Sequence, residues 1–333
     1  MIAGGTAERR RIVITGARGY IGTALTRRFA RAPQPLCLVS RSAAQPALPP
    51  DARATIVHVT ADLRQERAWI ELLARADALV HLSWRSDLKA AEADPVGDDA
   101  INVEPVRALV RAAETAGGPL IIFASTVTIV GATHANPVDE STPDRPCTTY
   151  DRHKLACEVL LREATERGVL RAVSLRLANV YGFGGVSINR NRGILNTMME
   201  RAVAGQPLTL YGDGAGVRDF IHVDDVVEAI CAALNCERVS DGRSYVIASG
   251  RGTSLAETFR LVAEEAQRAT GRMPEIRHVP EPADLHPIER RNFIGNSRRY
   301  QELTGWRPRI ALAEGVRDYL VRAVGQTELS ERL

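Results

Sequence analysis

The chain has 333 residues, enough for about two domains and one or two sizeable cores. Apolar residues at 45% and charged residues at 25% are ordinary for a globular protein and exclude wholesale disorder. A formal charge of only +3 is no nucleic-acid signature despite a pI near 8.7, because recognition of a phosphate backbone needs a concentrated basic face.

In chain order, short apolar strands alternate with amphipathic helices through the first half, the pattern of a parallel sheet covered on both faces. Strands are predicted over 11–14, 36–39, 55–59, 78–82, 120–124 and 172–177, and helices over 20–30, 67–74, 103–116 and 152–167. Leu155, Val159 and Leu160 give the last helix one buried stripe. Pro46, Pro49 and Pro50 mark a loop, and Gly117, Gly118 and Pro119 end a helix. After Asn179 the rhythm breaks. Gly182, Gly184 and Gly185 lead into a polar loop that runs to Arg192 and reads as a lid or the entry to a second domain. A helix over 194–204, a strand over 208–211 and a loop over 212–218 follow, then helices over 223–235 and 255–270 flanking a strand near 245–248. The Pro- and Arg-rich stretch 273–308 is expected to be irregular.

Residues 1–11 end in three arginines with no apolar stretch before a cleavage site, and no apolar run approaches the roughly 20 residues that span a bilayer. Cys37, Cys147, Cys157, Cys231 and Cys236 form no CxxC pair and are odd in number, so a reduced, cytoplasmic setting without a membrane partner is expected. The seven histidines lack ligand spacing, and no metal is expected; His153 and His222 are assigned to local packing or capping.

Thr15-Gly16-Ala17-Arg18-Gly19-Tyr20-Ile21-Gly22 lies between the first strand and the first helix. Gly16 permits a tight turn, Gly19 lets a pyrophosphate approach the backbone, and Gly22 lets helix and sheet approach. The helix N-terminus adds free N–H groups and partial positive charge. This is a dinucleotide site by context as well as by spacing. The second strand ends Ser40-Arg41-Ser42, without the carboxylate that grips a ribose 2′-hydroxyl in NAD sites. A guanidinium flanked by hydroxyls suits a 2′-phosphate, and Arg18 can close over the same group, so NADP(H) is favoured. Asp62, followed by Leu63 after the third strand, can accept from an adenine amino group or cap a helix.

Tyr150 and Lys154 fall on one face of a helix. An ammonium beside a phenol is expected to lower its pKa from near 10, giving a group that exchanges a proton with a carbonyl or alcohol oxygen. Of the 43 basic residues only Lys89 and Lys154 are lysines, which marks position 154 as one where a compact, deprotonatable cation is required. The strand over 120–124 runs into Ser125 and Thr126, and a hydroxyl at the carboxyl end of a parallel strand sits where such sheets bind ligands.

These motifs, with Arg176-Leu177-Ala178-Asn179-Val180-Tyr181-Gly182, the run from Asp213 to Asp225 and the closing Thr304-Gly305-Trp306-Arg307-Pro308, resemble the extended short-chain dehydrogenase/reductase family over essentially the whole chain. The resemblance implies an α/β fold: a Rossmann-type doubly wound parallel sheet (1–178 with 218–250) and a smaller, mostly C-terminal sugar-nucleotide domain (179–217 with 251–333). It implies Thr126, Tyr150 and Lys154 as catalytic residues. Asn179 and Arg218 are implied to bind a nucleoside-diphosphate sugar; the loop residue Arg192 is a further candidate for the diphosphate or else a solvent-exposed arginine. Asn102, Leu82, Ser83 and Leu177 are implied to bracket or organise the cofactor. A homodimer is expected by analogy.

Where dehydratases of that family carry an Asp-Glu pair, this chain has Val127 and Thr128, and Thr128 also replaces the thiol of fucose-type epimerase-reductases. The segments 149–156, 168–176 and 201–210 resemble 4-ketoreductases for nucleoside-diphospho-4-keto-6-deoxyhexoses of antibiotic sugar pathways. The expected activity is therefore NADPH-dependent reduction of such a keto group, TDP being the expected carrier. The rivals are an NAD-dependent nucleotide-sugar epimerase and, with less support, a non-catalytic dinucleotide-sensing regulator.

Overall fold

The structure, a computed structural model, describes residues 10–42, 48–133, 136–184, 193–283 and 287–331. Its strands are β1 (Ile12–Thr15), β2 (Pro35–Ser40), β3 (Thr55–Thr60), β4 (Ala78–His81), β5 (Leu120–Thr126), β6 (Arg171–Leu177), β7 (Asn179–Tyr181), β8 (Leu208–Tyr211), β9 (Val217–His222), β10 (Ser244–Ile247), β11 (Gly252–Ser254) and β12 (Ile276–Val279). Its helices are α1 (Tyr20–Ala30), α2 (Glu66–Leu73), α3 (Leu88–Ala93), α4 (Pro95–Asn102), α5 (Glu104–Ala116), α6 (Thr149–Glu166), α7 (Ile194–Val203), α8 (Val223–Leu234), α9 (Leu255–Thr270), α10 (Arg298–Thr304) and α11 (Leu312–Glu331).

Seven strands form one sheet in the order β3-β2-β1-β4-β5-β6-β10. Every pairing is parallel, with Ile12 opposite Leu36 on one side and Ala78 on the other. Parallel strands covered on both faces read as continuous apolar runs, and β1 (IVIT) and β4 (ALVH) are buried at every position. The chain moves outward from β1 to β3, then returns to lay β4 on the other side of β1. That reversal opens a crevice at the carboxyl ends of β1 and β4, the usual ligand position in open α/β sheets.

Helices α2, α5 and α6 cover one face through Trp69, Leu72, Leu109 and Leu161; α1 and α8 cover the other through Leu25, Val226 and Ile230. In α5, Val106, Leu109, Val110 and Ala113 repeat at helical spacing and are all buried. Each of these valines and the leucine taken out of water contributes about 1.5–3 kcal/mol. A third core joins β7, α7, β8, α9 and α11 through Tyr181, Leu195, Met199, Leu208, Phe259 and Val316. Beside it lie two small sheets, β11-β9-β7 and β12-β8.

The predicted strands and helices agree with the structure to within a few residues; the short strands β7 and β11 have no predicted counterpart, and three further regions differ. Helices α3 and α4 occupy a stretch with no predicted element; Asp87 and Asp94 cap them by accepting from Ala90 N and Gly97 N, and Pro95 opens α4. The predicted loop over 212–218 ends early because β9 starts at Val217, held between β7 and β11. The stretch expected to be irregular contains β12, a 3-10 turn at Pro287–Arg290 and α10, and α11 follows it. These pieces are ordered by pairing with distant segments, β12 with β8 for example, rather than by their own periodicity.

Candidate active site

A cavity of about 490 Å³ lies at the carboxyl ends of β1, β4, β5 and β6, within the usual 300–1,000 Å³ of small-molecule sites. On the sheet side it is lined by Gly16, Gly19, Tyr20, Ile21, Gly22, Leu82, Thr126, Tyr150, Lys154 and Leu177. Asn179, Phe220, Ile288, Glu289 and Arg291 line the opposite side. A second cavity, of about 500 Å³, lies between Arg41, Asp62, Leu63, Ser83 and Asn102. Most of the sequence-predicted cofactor residues thus fall around two adjoining spaces, with Leu82 and Ser83 between them; Arg18, Ser40 and Ser42 line neither and lie beside Arg41.

The glycine turn is shaped by close backbone approach. Gly16 has φ +68°, and a Cβ there would meet the Leu82 carbonyl carbon and Ser83 N at 2.7 Å. A Cβ on Gly22 would collide with Gly16 O at the first turn of α1. Thr15 Oγ1 accepts from Leu82 N and Ser83 N at 3.3 Å, which ties the ends of β1 and β4 together. The turn leaves backbone N–H groups at the start of α1 facing the cavity, a cradle whose chemistry fits a pyrophosphate. At the end of β2, Arg18 donates to Ser42 Oγ and Ser40 Oγ donates to Ser42 O, drawing Arg18, Ser40 and Ser42 together beside Arg41. Asp62 pairs with Arg64 at 2.6 Å, which holds its carboxyl below the usual range. Asn102 is buried and holds the strand-end backbone, accepting from Arg85 N at 2.8 Å and donating to Arg85 O at 3.1 Å.

Tyr150 and Lys154 project from the start of α6 toward the end of β5. A capping box explains the helix start: Thr148 Oγ1 accepts from Asp151 N, and Asp151 accepts from Thr148 N. Lys154 Nζ donates to Ala124 O at 2.6 Å and lies 3.6 Å from the centre of the Trp84 ring. It is 4.6 Å from the Phe123 ring and 5.9 Å from that of Tyr150. Burial against these rings lowers the Lys154 pKa to about 7. The phenol differs from the sequence expectation: burial, then the charge of Asp151, push the Tyr150 pKa up rather than down. The physical reason is that Lys154 directs its ammonium at the Ala124 carbonyl and the indole, so low local polarity dominates the phenol. The Thr126 hydroxyl near the phenol opposes part of the rise. Tyr150 is accordingly held as a proton-bearing acid.

On the opposite wall Asn179, at the start of β7, faces the cavity and donates to Asp219 O at 3.0 Å. Arg218 is buried on β9, but its guanidinium is engaged by the backbone carbonyls of Val217, Glu289 and Arg291 rather than open to the main cavity. It thereby holds the segment that carries Arg291. That arginine faces the cavity, donates to Ile288 O at 2.7 Å and leaves Nε without a protein partner. Burial is the largest influence on both arginines and lowers the pKa of each, that of Arg218 to about 10; the charge of Arg291 adds to the shift on Arg218. Sequence reasoning missed Arg291 because it is one arginine among many, with no local motif. Arg192 lies outside the described residues. Both histidines act locally: His153 pairs with Asp98 at 2.8 Å, and His222 caps α8.

With this geometry in hand, the profile of the "NAD dependent epimerase/dehydratase family" matches residues 12–248. The chain belongs to that family. Among its relatives, it is 30% identical over 243 residues to a UDP-glucose 4-epimerase of Mycolicibacterium smegmatis, covering 73% of this chain and 74% of that one. It is 26% identical over 318 residues to a GDP-6-deoxy-D-mannose reductase of Pseudomonas aeruginosa, covering 93% and 96%. The crystal structure of a Thermus thermophilus UDP-glucose 4-epimerase in complex with NAD aligns with a TM-score of 0.76 at 28% identity, covering 93% of this chain and 97% of that one. The family thus holds both epimerases and reductases close to this chain. Among the described residues no helix is long and apolar enough to cross a membrane.

Proposed function

We propose that the chain is a nucleotide-sugar reductase that uses NADPH to reduce the 4-keto group of a nucleoside-diphospho-4-keto-6-deoxyhexose, TDP being the expected nucleotide. The observation that carries this reading is the end of β2, where Arg18, Ser40, Arg41 and Ser42 gather at the place an NAD site reserves for a carboxylate. A 2′-phosphate is the anion that such a group of donors suits. An enzyme selecting the phosphorylated dinucleotide exchanges it each turnover, whereas an epimerase recycles one bound molecule. The Pseudomonas reductase relative supports the same reading.

When bound, the reduced nicotinamide supplies the hydride. The protein does the rest. Tyr150, held protonated, donates to the oxygen that gains charge as the carbonyl is reduced. Thr126 would orient that oxygen, and Lys154, held on the Ala124 carbonyl and the Trp84 ring, would hold the cofactor ribose. Arg291, with an unpartnered Nε and another arginine behind it, supplies the charge for the diphosphate; Asn179 borders the same space, and Arg218 fixes the Arg291 segment.

The specific observation for a second reading, an NAD-dependent 4-epimerase, is the similarity to the Mycolicibacterium enzyme. Purified protein supplied with TDP-4-keto-6-deoxyglucose is expected to oxidise NADPH in preference to NADH and to leave UDP-glucose unchanged. Interconversion of UDP-glucose and UDP-galactose without net cofactor consumption would replace the reductase by the epimerase.

A further inference from the structure

The second cavity, beside Arg41, Asp62 and Asn102, holds a cation to which no sequence motif points. Arg85, shortly after the end of β4, lines it. Both halves of this residue are held in place. The Asn102 amide clamps its main chain, accepting from Arg85 N at 2.8 Å and donating to Arg85 O at 3.1 Å. Asp98 on α4 holds its side chain: Nε and Nη2 donate to Asp98 Oδ1 at 3.3 and 3.0 Å. The carboxylate is 1% exposed, whereas the Arg85 side chain keeps 30% of its surface open.

Asp98 has other partners. Asn102 Nδ2 reaches both of its oxygens at 3.1 Å, and His153 Nδ1 lies 2.8 Å from Oδ2. What it takes from Arg85 is one edge of the guanidinium. That group carries five N–H donors in a rigid fork, and two of them go to Asp98. The end of the fork, Nη1 with the second N–H of Nη2, has no protein partner among the described residues.

We propose that Arg85 binds a phosphate group of the dinucleotide through this free edge. The inference rests on the reading that a nicotinamide dinucleotide fills the two adjoining cavities, and it holds for a reductase and an epimerase alike. Two parallel N–H donors match two oxygens of one phosphate. A side chain fixed before the ligand arrives also loses little freedom on binding. The electrostatics of the cavity agree: among the described residues it is lined by three guanidiniums, of Arg41, Arg64 and Arg85, and by one carboxylate, Asp62, which Arg64 already engages. Arg85 thus adds a donor on the β4 side, where the nicotinamide-binding family is otherwise served by backbone and small side chains in the segment Leu82–Ser83.

The test is calorimetric binding of NADPH and of NADH to the cofactor-stripped full chain, with no sugar present. Arg85→Gln keeps a donor for Asp98 and removes the charge; Arg85→Lys keeps a charge and removes the fork. Arg85→Gln is expected to weaken dinucleotide binding by about ten- to hundredfold, the range for a hydrogen bond to a charged group, and Arg85→Lys by less. Affinity should also fall less with added salt in Arg85→Gln than in wild type, because one screened charge contact is gone. Both variants are expected to melt with wild type; should Arg85→Gln not fold, Arg85→Lys carries the test. Loss with both dinucleotides assigns Arg85 to the pyrophosphate, and loss confined to NADPH assigns it to the 2′-phosphate. Affinities within about twofold of wild type, or a loss with unchanged salt dependence, would overturn the assignment and leave Arg85 an anchor for Asp98. Wild-type protein that binds neither dinucleotide would instead overturn the cofactor reading, and this assignment with it.

Discussion

The two walls of the main cavity are built in different ways. The sheet wall carries the glycine turn, Thr126, Tyr150 and Lys154 on a rigid parallel sheet and one capped helix, each within a short motif. The opposite wall carries Asn179, Phe220 and Arg291, from β7, β9 and a segment whose Glu289 and Arg291 carbonyls accept from Arg218, some 70 residues away. The contrast teaches a division of labour. On the proposed reading, the proton-transfer residues sit on the sheet and a capped helix, and the anion-binding residues on the wall assembled by long-range contacts.

That division is broken most sharply at the phenol. Tyr150→Phe keeps the ring that meets Trp84 edge-on at 5.9 Å but removes the acid; kcat is expected to fall by about 10²–10⁴, with substrate affinity little changed. A KM effect of comparable size would show that the sheet wall also binds substrate. On the opposite wall Arg291→Ala removes a charge-assisted hydrogen bond, worth roughly 1.5–3 kcal/mol, and should raise the substrate KM by about ten- to hundredfold while kcat holds. Arg218→Ala is expected to act in the same direction by releasing the segment that carries Arg291.

A smaller change is expected at the rim of the sheet wall. Arg41→Ala should weaken NADPH by about tenfold with NADH nearly unaffected, as measured by the ratio of the two kcat/KM values. The smallest concerns Lys154. Its ammonium is lost as pH rises through about 7, so kcat/KM should fall on the basic side of the pH profile. Trp84→Ala admits water to the ammonium and should move that limb upward. The loss of the cation–π contact, about 1–2 kcal/mol or roughly one pH unit, pulls the other way but is smaller than the desolvation it relieves. A limb that stayed in place would dissociate the Lys154 pKa from the indole.

The sheet wall was legible from the sequence because its signals are local. Gly16, Gly19 and Gly22 precede a helix, apolar runs mark the buried strands, and Tyr150 and Lys154 share a helix face. The phenol's acidity was not legible, since it depends on where Lys154 points and on the rings around it. Trp84 and Arg291 went unnoticed for a related reason: their roles arise from β4 and the 287–291 segment meeting α6, which no spacing records. Helices α3 and α4 were different, because the capping aspartates Asp87 and Asp94 and the N-terminal Pro95 stood in the sequence and were not used. In β12 the order comes from pairing with β8, across a span of chain that local pattern cannot bridge.

The most direct test of the reductase account follows an atom. With NADPH deuterated at the transferable position and a nucleoside-diphospho-4-keto-6-deoxyhexose, the account predicts one deuterium at carbon four of the product for each coenzyme oxidised. A sugar left unreduced and free of deuterium, with the coenzyme pool unconsumed, would contradict it.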